Sequence, residues 1–254
     1  MLPTELPLYG LFKKTFSFFF NIDRLWKLSA FPFLFLVLLS VAALATPSTM
    51  AANGVQNIGN FYLIGIFSLI LLFILVLTMV RVHRLVNGAD DGRFYVPRFG
   101  REYAVYLWFL VRLTVLSAIF SFLLSGLVLA LIYYFVPQIF VPAPYLVVFF
   151  FIWMPFFMIN QFAFLPAAAG NERLTMKRAW GLLKGNRLPF CTMYVFIAAF
   201  PFIVTMFAGA VLTSLIPFGG TFLFFQFLLF EVALLFSCVS QAVFMSYAYL
   251  ALKQ

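Results

Sequence analysis

Charge is what this chain has least of. Only 9% of its 254 residues are Asp, Glu, Lys or Arg, while 65% are hydrophobic. A soluble domain carries about 25% charged residues, so the shortage excludes a conventional water-covered surface. Acidic residues are scarcer still, seven against sixteen Lys and Arg, and there is a single histidine, His83. No His-Glu-x-x-His run occurs and no His or Cys cluster has metal-ligand spacing, which removes the metalloprotease and structural-zinc layouts. The only cysteines, Cys191 and Cys238, sit in apolar stretches, where a free thiol packs as a small hydrophobe. No pair of aspartates lies inside an apolar stretch.

What charge there is has a pattern. All Lys and Arg fall into four blocks: Lys13, Lys14, Arg24 and Lys27; Arg81, Arg84, Arg93, Arg98, Arg101 and Arg112; Arg173, Lys177, Arg178, Lys184 and Arg187; and Lys253. The intervening stretches 28–80, 113–171 and 188–252 contain one charge, Glu231. A bilayer core about 30 Å thick is crossed by roughly 20 apolar helical residues, so each stretch has room for two crossings and a turn. Two crossings return the chain to its starting side, which places all four blocks in one compartment, the cytoplasm by the positive-inside rule. Net charge is +9, and its juxtamembrane position points to anionic headgroups at about 1 kcal/mol per basic residue rather than to nucleic acid.

The expected fold is all-α: a polytopic membrane domain of six transmembrane helices, about 28–46, 61–82, 107–135, 145–168, 190–214 and 221–250, forming three in-out-in hairpins with amphipathic juxtamembrane helices inside. Residues 1–27 mix Phe, Leu and Tyr with Lys13, Lys14, Asp23, Arg24 and Lys27, the pattern of a helix lying in the inner interface. Ala43-Leu44-Ala45 has the small-x-small form of a signal-peptidase site, but nearly 30 residues precede its apolar run, longer than a usual n-region. An uncleaved first span is expected. Asn87-Gly88 and Asp91-Gly92 read as turns, and Pro155 and Pro166 as kinks in the fourth span.

Glu231 is the sharpest candidate residue. It stands about ten residues into the last span, near the bilayer centre at 1.5 Å per residue. A carboxylate there costs at least about 2.5–3.5 kcal/mol unless it faces protein or water. With Gln226, Asn160 and Gln161 it would make a polar path; otherwise it is a protonated group hydrogen-bonded to a neighbouring helix. His83, between Arg81 and Arg84 at the membrane edge, reads as an interfacial residue just beyond the second span. Asp90-Asp91-Gly92-Arg93 lacks the later spaced aspartates of a CDP-alcohol phosphotransferase and reads as a solvated turn.

The segment Leu165-Pro166-Ala167 to Asn171-Glu172-Arg173, with Lys177-Arg178-Ala179-Trp180 and Leu183-Lys184-Gly185-Asn186, resembles the cytoplasmic loop of a bacterial group of multi-span proteins. The group comprises YciC-like inner-membrane proteins and the membrane domain fused to some glycerophosphodiester phosphodiesterases. The resemblance covers about 60 residues and implies a bacterial inner-membrane protein with a link to envelope lipid. It carries over no catalytic residue.

The expectation is therefore a non-enzymatic inner-membrane protein without a cofactor, both termini cytoplasmic, binding anionic lipid or a membrane-protein partner. The contact residues would be Arg81, Arg84, Arg98, Arg101, Arg173, Lys177, Arg178, Lys184 and Arg187, whose guanidinium forks suit phosphate oxygens. The competing expectation is a small transporter or channel built on Glu231, with the span-four pair Asn160-Gln161 and the span prolines. A membrane enzyme is the third.

Overall fold

The computed structural model describes residues 7–21, 58–88, 100–135, 181–216 and 220–253, with 28, 30, 32–38, 41, 149, 165–166 and 178 besides. Five helices lie among them: α1 (Leu8–Phe20), α2 (Ile58–Val86), α3 (Arg101–Phe135), α4 (Arg187–Leu215) and α5 (Gly220–Lys253). No strand occurs among the described residues. In hydrocarbon a backbone must satisfy its own N–H and C=O groups, and helices are how these apolar runs do so. Four of them are long and apolar enough to cross a membrane, over Leu69–Val86, Arg101–Tyr134, Arg187–Leu215 and Phe224–Lys253. The expected first and fourth spans fall mainly outside the described residues.

Helix ends are set by local chemistry. Asn87 N–H returns to His83 O (2.9 Å) and Gly88 N–H to Leu85 O (3.2 Å), closing α2 with Gly88 at φ 72. Side chains disfavour that left-handed conformation and glycine does not. Before α4 the chain turns through Leu183–Asn186, where Asn186 N–H bonds Leu183 O (3.0 Å) and Gly185 takes φ 87. Asn186 O then accepts the first helical bond, from Phe190 N–H (2.9 Å).

The helices pack with their basic ends together. α4 and α5 are antiparallel along their length: Phe190 stacks on Phe244 (5.3 Å) and Phe202 meets Phe230 (5.9 Å). Farther along, Gln226 lies over Gly209. The C-terminal end of α2 joins that of α5 through His83 and Ser246. The start of α3 lies beside the end of α2, with the His83 and Tyr106 rings 5.7 Å apart. α1 rises beside α4, Phe12 near Phe196 (6.0 Å) and Phe16 near Phe200 (5.2 Å). It also touches α5, where Phe19 stacks on Phe236 and Lys14 Nζ stands over the Tyr247 ring. Leu11, Thr15 and Phe18 form its buried face; the Thr15 hydroxyl is satisfied on Leu11 O (2.8 Å).

Burial is uneven along the bundle. Val80, Val82, Tyr106, Phe190, Phe244 and Met245 are fully buried at the basic end. Toward the far end of α4, Met206, Phe207, Val211 and Leu215 are exposed, as lipid-facing residues are. At 29, 35, 29 and 34 residues, helices α2 to α5 reach about 44, 52, 44 and 51 Å. All exceed a hydrocarbon core of about 30 Å.

Two glycines test this packing. A Cβ at Gly209 would stand 3.2 Å from Gln226 Nε2, whereas one at Gly126 would meet nothing within 4 Å. Gly209→Leu is expected to separate α4 from α5 and lower the thermal midpoint in detergent by several degrees, while Gly126→Ala leaves it unchanged or raises it. Parallel thermal-unfolding curves of the two variants check this.

Candidate functional site

Polar chemistry is concentrated in the buried half of the bundle. Pro201 sits inside α4, and its missing N–H leaves the carbonyl four residues earlier, Ile197 O, without its helical donor. α5 faces this gap with hydroxyls. Ser237 Oγ donates to Ala198 O (2.8 Å), and Ser240 Oγ lies 3.5 Å from Ile197 O while bonding Phe236 O within its own helix (2.8 Å). Gln241 extends the seam: its Nε2 donates to Ser237 Oγ (2.8 Å) and its Oε1 accepts from the Tyr194 hydroxyl (2.5 Å). A hydroxyl–amide–hydroxyl–carbonyl chain thus crosses the α4–α5 contact, each member supplying what the next needs.

A second buried group joins α2, α3 and α5. His83 is fully buried, and its Nδ1 lies 2.6 Å from Ser246 Oγ, itself fully buried. Among the described residues no hydrogen-bond partner reaches the buried His83 Nε2 or the buried Tyr106 hydroxyl. His83, read from the sequence as an interfacial helix residue, lies on α2, which continues to Val86, and with Val76 and Val80 it occupies the face turned into the bundle. Along α3 the buried positions Ser117, Ser121 and Ser125 recur every four residues. Ser125 Oγ donates to Ser121 O (2.6 Å); small side chains at this spacing allow close helix approach.

The edge of the basic end is clipped by an ion pair. Arg84 Nη1 lies 2.6 Å from Glu102 Oε1, the two side chains 23% and 18% exposed. The Glu102 carboxylate folds over Gly100, where any Cβ would collide with it. Beside this pair Asn87 Nδ2 donates to Pro166 O (3.2 Å).

The sequence candidates distribute as follows. Glu231 is partly buried on α5, five residues beyond Gln226. At about 100° per residue the two lie some 140° apart around the helix, so α5 does not bring them to one face. Gln226 packs its amide over Gly209. Arg101, Arg178, Lys184 and Arg187 are exposed, Arg81 is partly buried, and Arg84 is held by Glu102. Asn160, Gln161, Arg98, Arg173 and Lys177 lie outside the described residues. Cys191 and Cys238 are free thiols.

Between α1 and α4 lies an open apolar groove of about 750 Å³, its walls including Leu8, Tyr9 and Phe12 on one side and Leu188, Met193 and Phe196 on the other. Sequence reasoning missed this groove, the Pro201 seam and the His83–Ser246 bond. A signal for the second existed, a proline in α4 and Ser237, Ser240 and Gln241 on one side of α5. Nothing in the sequence paired position 83 with position 246.

Among the described residues these features define an all-helical protein with four helices long and apolar enough to cross a membrane, in line with a multi-pass membrane protein. Compared with known protein families, curated proteins and solved structures, the chain matches none.

The His83–Ser246 bond predicts a specific coupling. Ser246→Ala strips the partner from a buried imidazole and is expected to destabilise the protein by about 1 kcal/mol. In His83→Phe the same serine change should cost clearly less. A double-mutant cycle on detergent unfolding reads the difference.

Proposed function

We propose that this chain is a non-enzymatic, multi-pass protein of a bacterial inner membrane that binds anionic lipid through its basic end. Six spans with both termini in the cytoplasm complete this reading, as does kinship with the YciC-like group through residues 165–186. The observation that carries it is the gathering of cations at one end: Arg101, Arg178, Lys184 and Arg187 are exposed at the end where α2, α3, α4 and α5 converge. Helices longer than the hydrocarbon core let that end stand in the headgroup region, where a basic side chain gains about 1 kcal/mol from an anionic surface.

Retention of lipid by the purified protein tests the reading. Native mass spectrometry after mild detergent extraction is expected to find phosphatidylglycerol retained over phosphatidylcholine. The variant Arg101→Glu/Arg178→Glu should lose at least several-fold of that preference. Equal retention of both lipids by the unaltered protein would refute lipid selectivity, and a stoichiometric protein partner in its place would favour a scaffold.

A second reading, a small transporter, draws on the partial burial of Glu231 in mid-α5. It expects Glu231→Gln to abolish proton-coupled flux in reconstituted vesicles while leaving the thermal midpoint within a few degrees. A loss of stability without any flux to lose assigns Glu231 to helix packing.

A further inference from the structure

We infer that the groove between α1 and α4 is an acyl-chain site for an anionic phospholipid, with the headgroup held by Lys184 and Arg187. This deepens the lipid-binding reading and rests on it. Three observations converge. Leu8 and Phe12 of α1 and Leu188, Met193 and Phe196 of α4 make the lining predominantly apolar, and its volume of about 750 Å³ lies within the roughly 300–1,000 Å³ of small-molecule sites. The length of α4 from Leu188 to Phe196 is about 12 Å, enough for the upper part of one chain, whose remaining methylenes stay in the leaflet.

The second observation is the charge at one end of the groove. Arg187 immediately precedes the lining residue Leu188 and opens α4, and both Arg187 and Lys184 are exposed. The turn through Gly185, at φ 87, brings Lys184 to the same helix start. The partial positive charge of that helix start adds to theirs. Tyr9, 80% exposed, lines the groove with an aromatic body and a polar tip, the amphipathic form favoured at a headgroup boundary.

The third is the way α1 is held. Its inner face is fixed by Leu11, Thr15 and Phe18, all buried, and Phe16 and Phe19 pack on Phe200 and Phe236. The groove is therefore a gap between two anchored helices. Water would fill it at the cost of wetting predominantly apolar walls, whereas a hydrocarbon chain meets them without that cost.

The experiment uses the full chain in nanodiscs containing trace phosphatidylglycerol with a diazirine at mid-chain, followed by peptide mapping after photolysis. Adducts are expected on 8–12 and 188–196, and competition by unlabelled phosphatidylglycerol should exceed that by phosphatidylcholine at least tenfold. Thr192→Trp, which puts a large ring on an exposed groove position, should lower groove adducts at least fivefold. Lys184→Glu/Arg187→Glu should erase the competition difference while adducts persist. Adducts confined to other helices, with phosphatidylglycerol still preferred, would overturn the groove assignment and leave the lipid-binding reading intact. Loss of all headgroup preference in the unaltered protein overturns both. A stable dimer in native mass spectrometry, without lipid adducts on 8–12 and 188–196, would make the groove a self-association surface and overturn the inference.

Discussion

A polar group in hydrocarbon must find its partner within the protein, and the described helices are arranged around that constraint. Pro201 creates the sharpest instance by leaving Ile197 O without its helical donor. α5 answers with Ser240 and Ser237, the latter bonded to Ala198 O, and the relay continues through Gln241 to Tyr194. The register between α4 and α5 then has little freedom: a shift of one residue would withdraw these donors and lift the Gln226 amide from Gly209. α5 in turn receives α2 through Ser246 and α1 through Phe236 and Tyr247. The bundle is assembled on α5, the helix with the longest run of fully buried positions.

Among the described residues the same constraint leaves several buried groups without a partner, His83 Nε2, the Tyr106 hydroxyl and the hydroxyls of Ser117 and Ser121 among them. His83 Nδ1 and Ser246 Oγ share one hydrogen bond, its direction set by the imidazole tautomer. The resulting group is a buried polar junction between three helices.

Much of the architecture was readable in advance because it follows from exclusion of charge. Apolar stretches of this length form helices in lipid, and the described α2, α3, α4 and α5 cover the expected second, third, fifth and sixth spans. Gly88 was legible as a turn because positive φ selects for glycine. The ends were less so: α2 runs four residues past 82, and the burial of His83 comes from packing against α5. Tertiary pairing was not legible at all. Glu231 drew attention by cost, yet the dominant polar seam is made of Ser, Gln and Tyr, residues that single-position cost does not flag. The groove beside α1 depends on how far two helices stand apart, a distance that no local pattern records.

The Arg84–Glu102 bond has a consequence for how this protein can vary. The chain leaves α2 at Asn87, tied to Pro166 O, and enters α3 beside Glu102, tied back to Arg84. Both ends of the connecting segment are therefore clamped independently of what lies between them. Loop-closure entropy grows only slowly, about 0.6 kcal/mol for each doubling of length. The length of the joining segment can therefore change at little cost to the α2–α3 register, which Arg84 and Glu102 hold from the helices themselves.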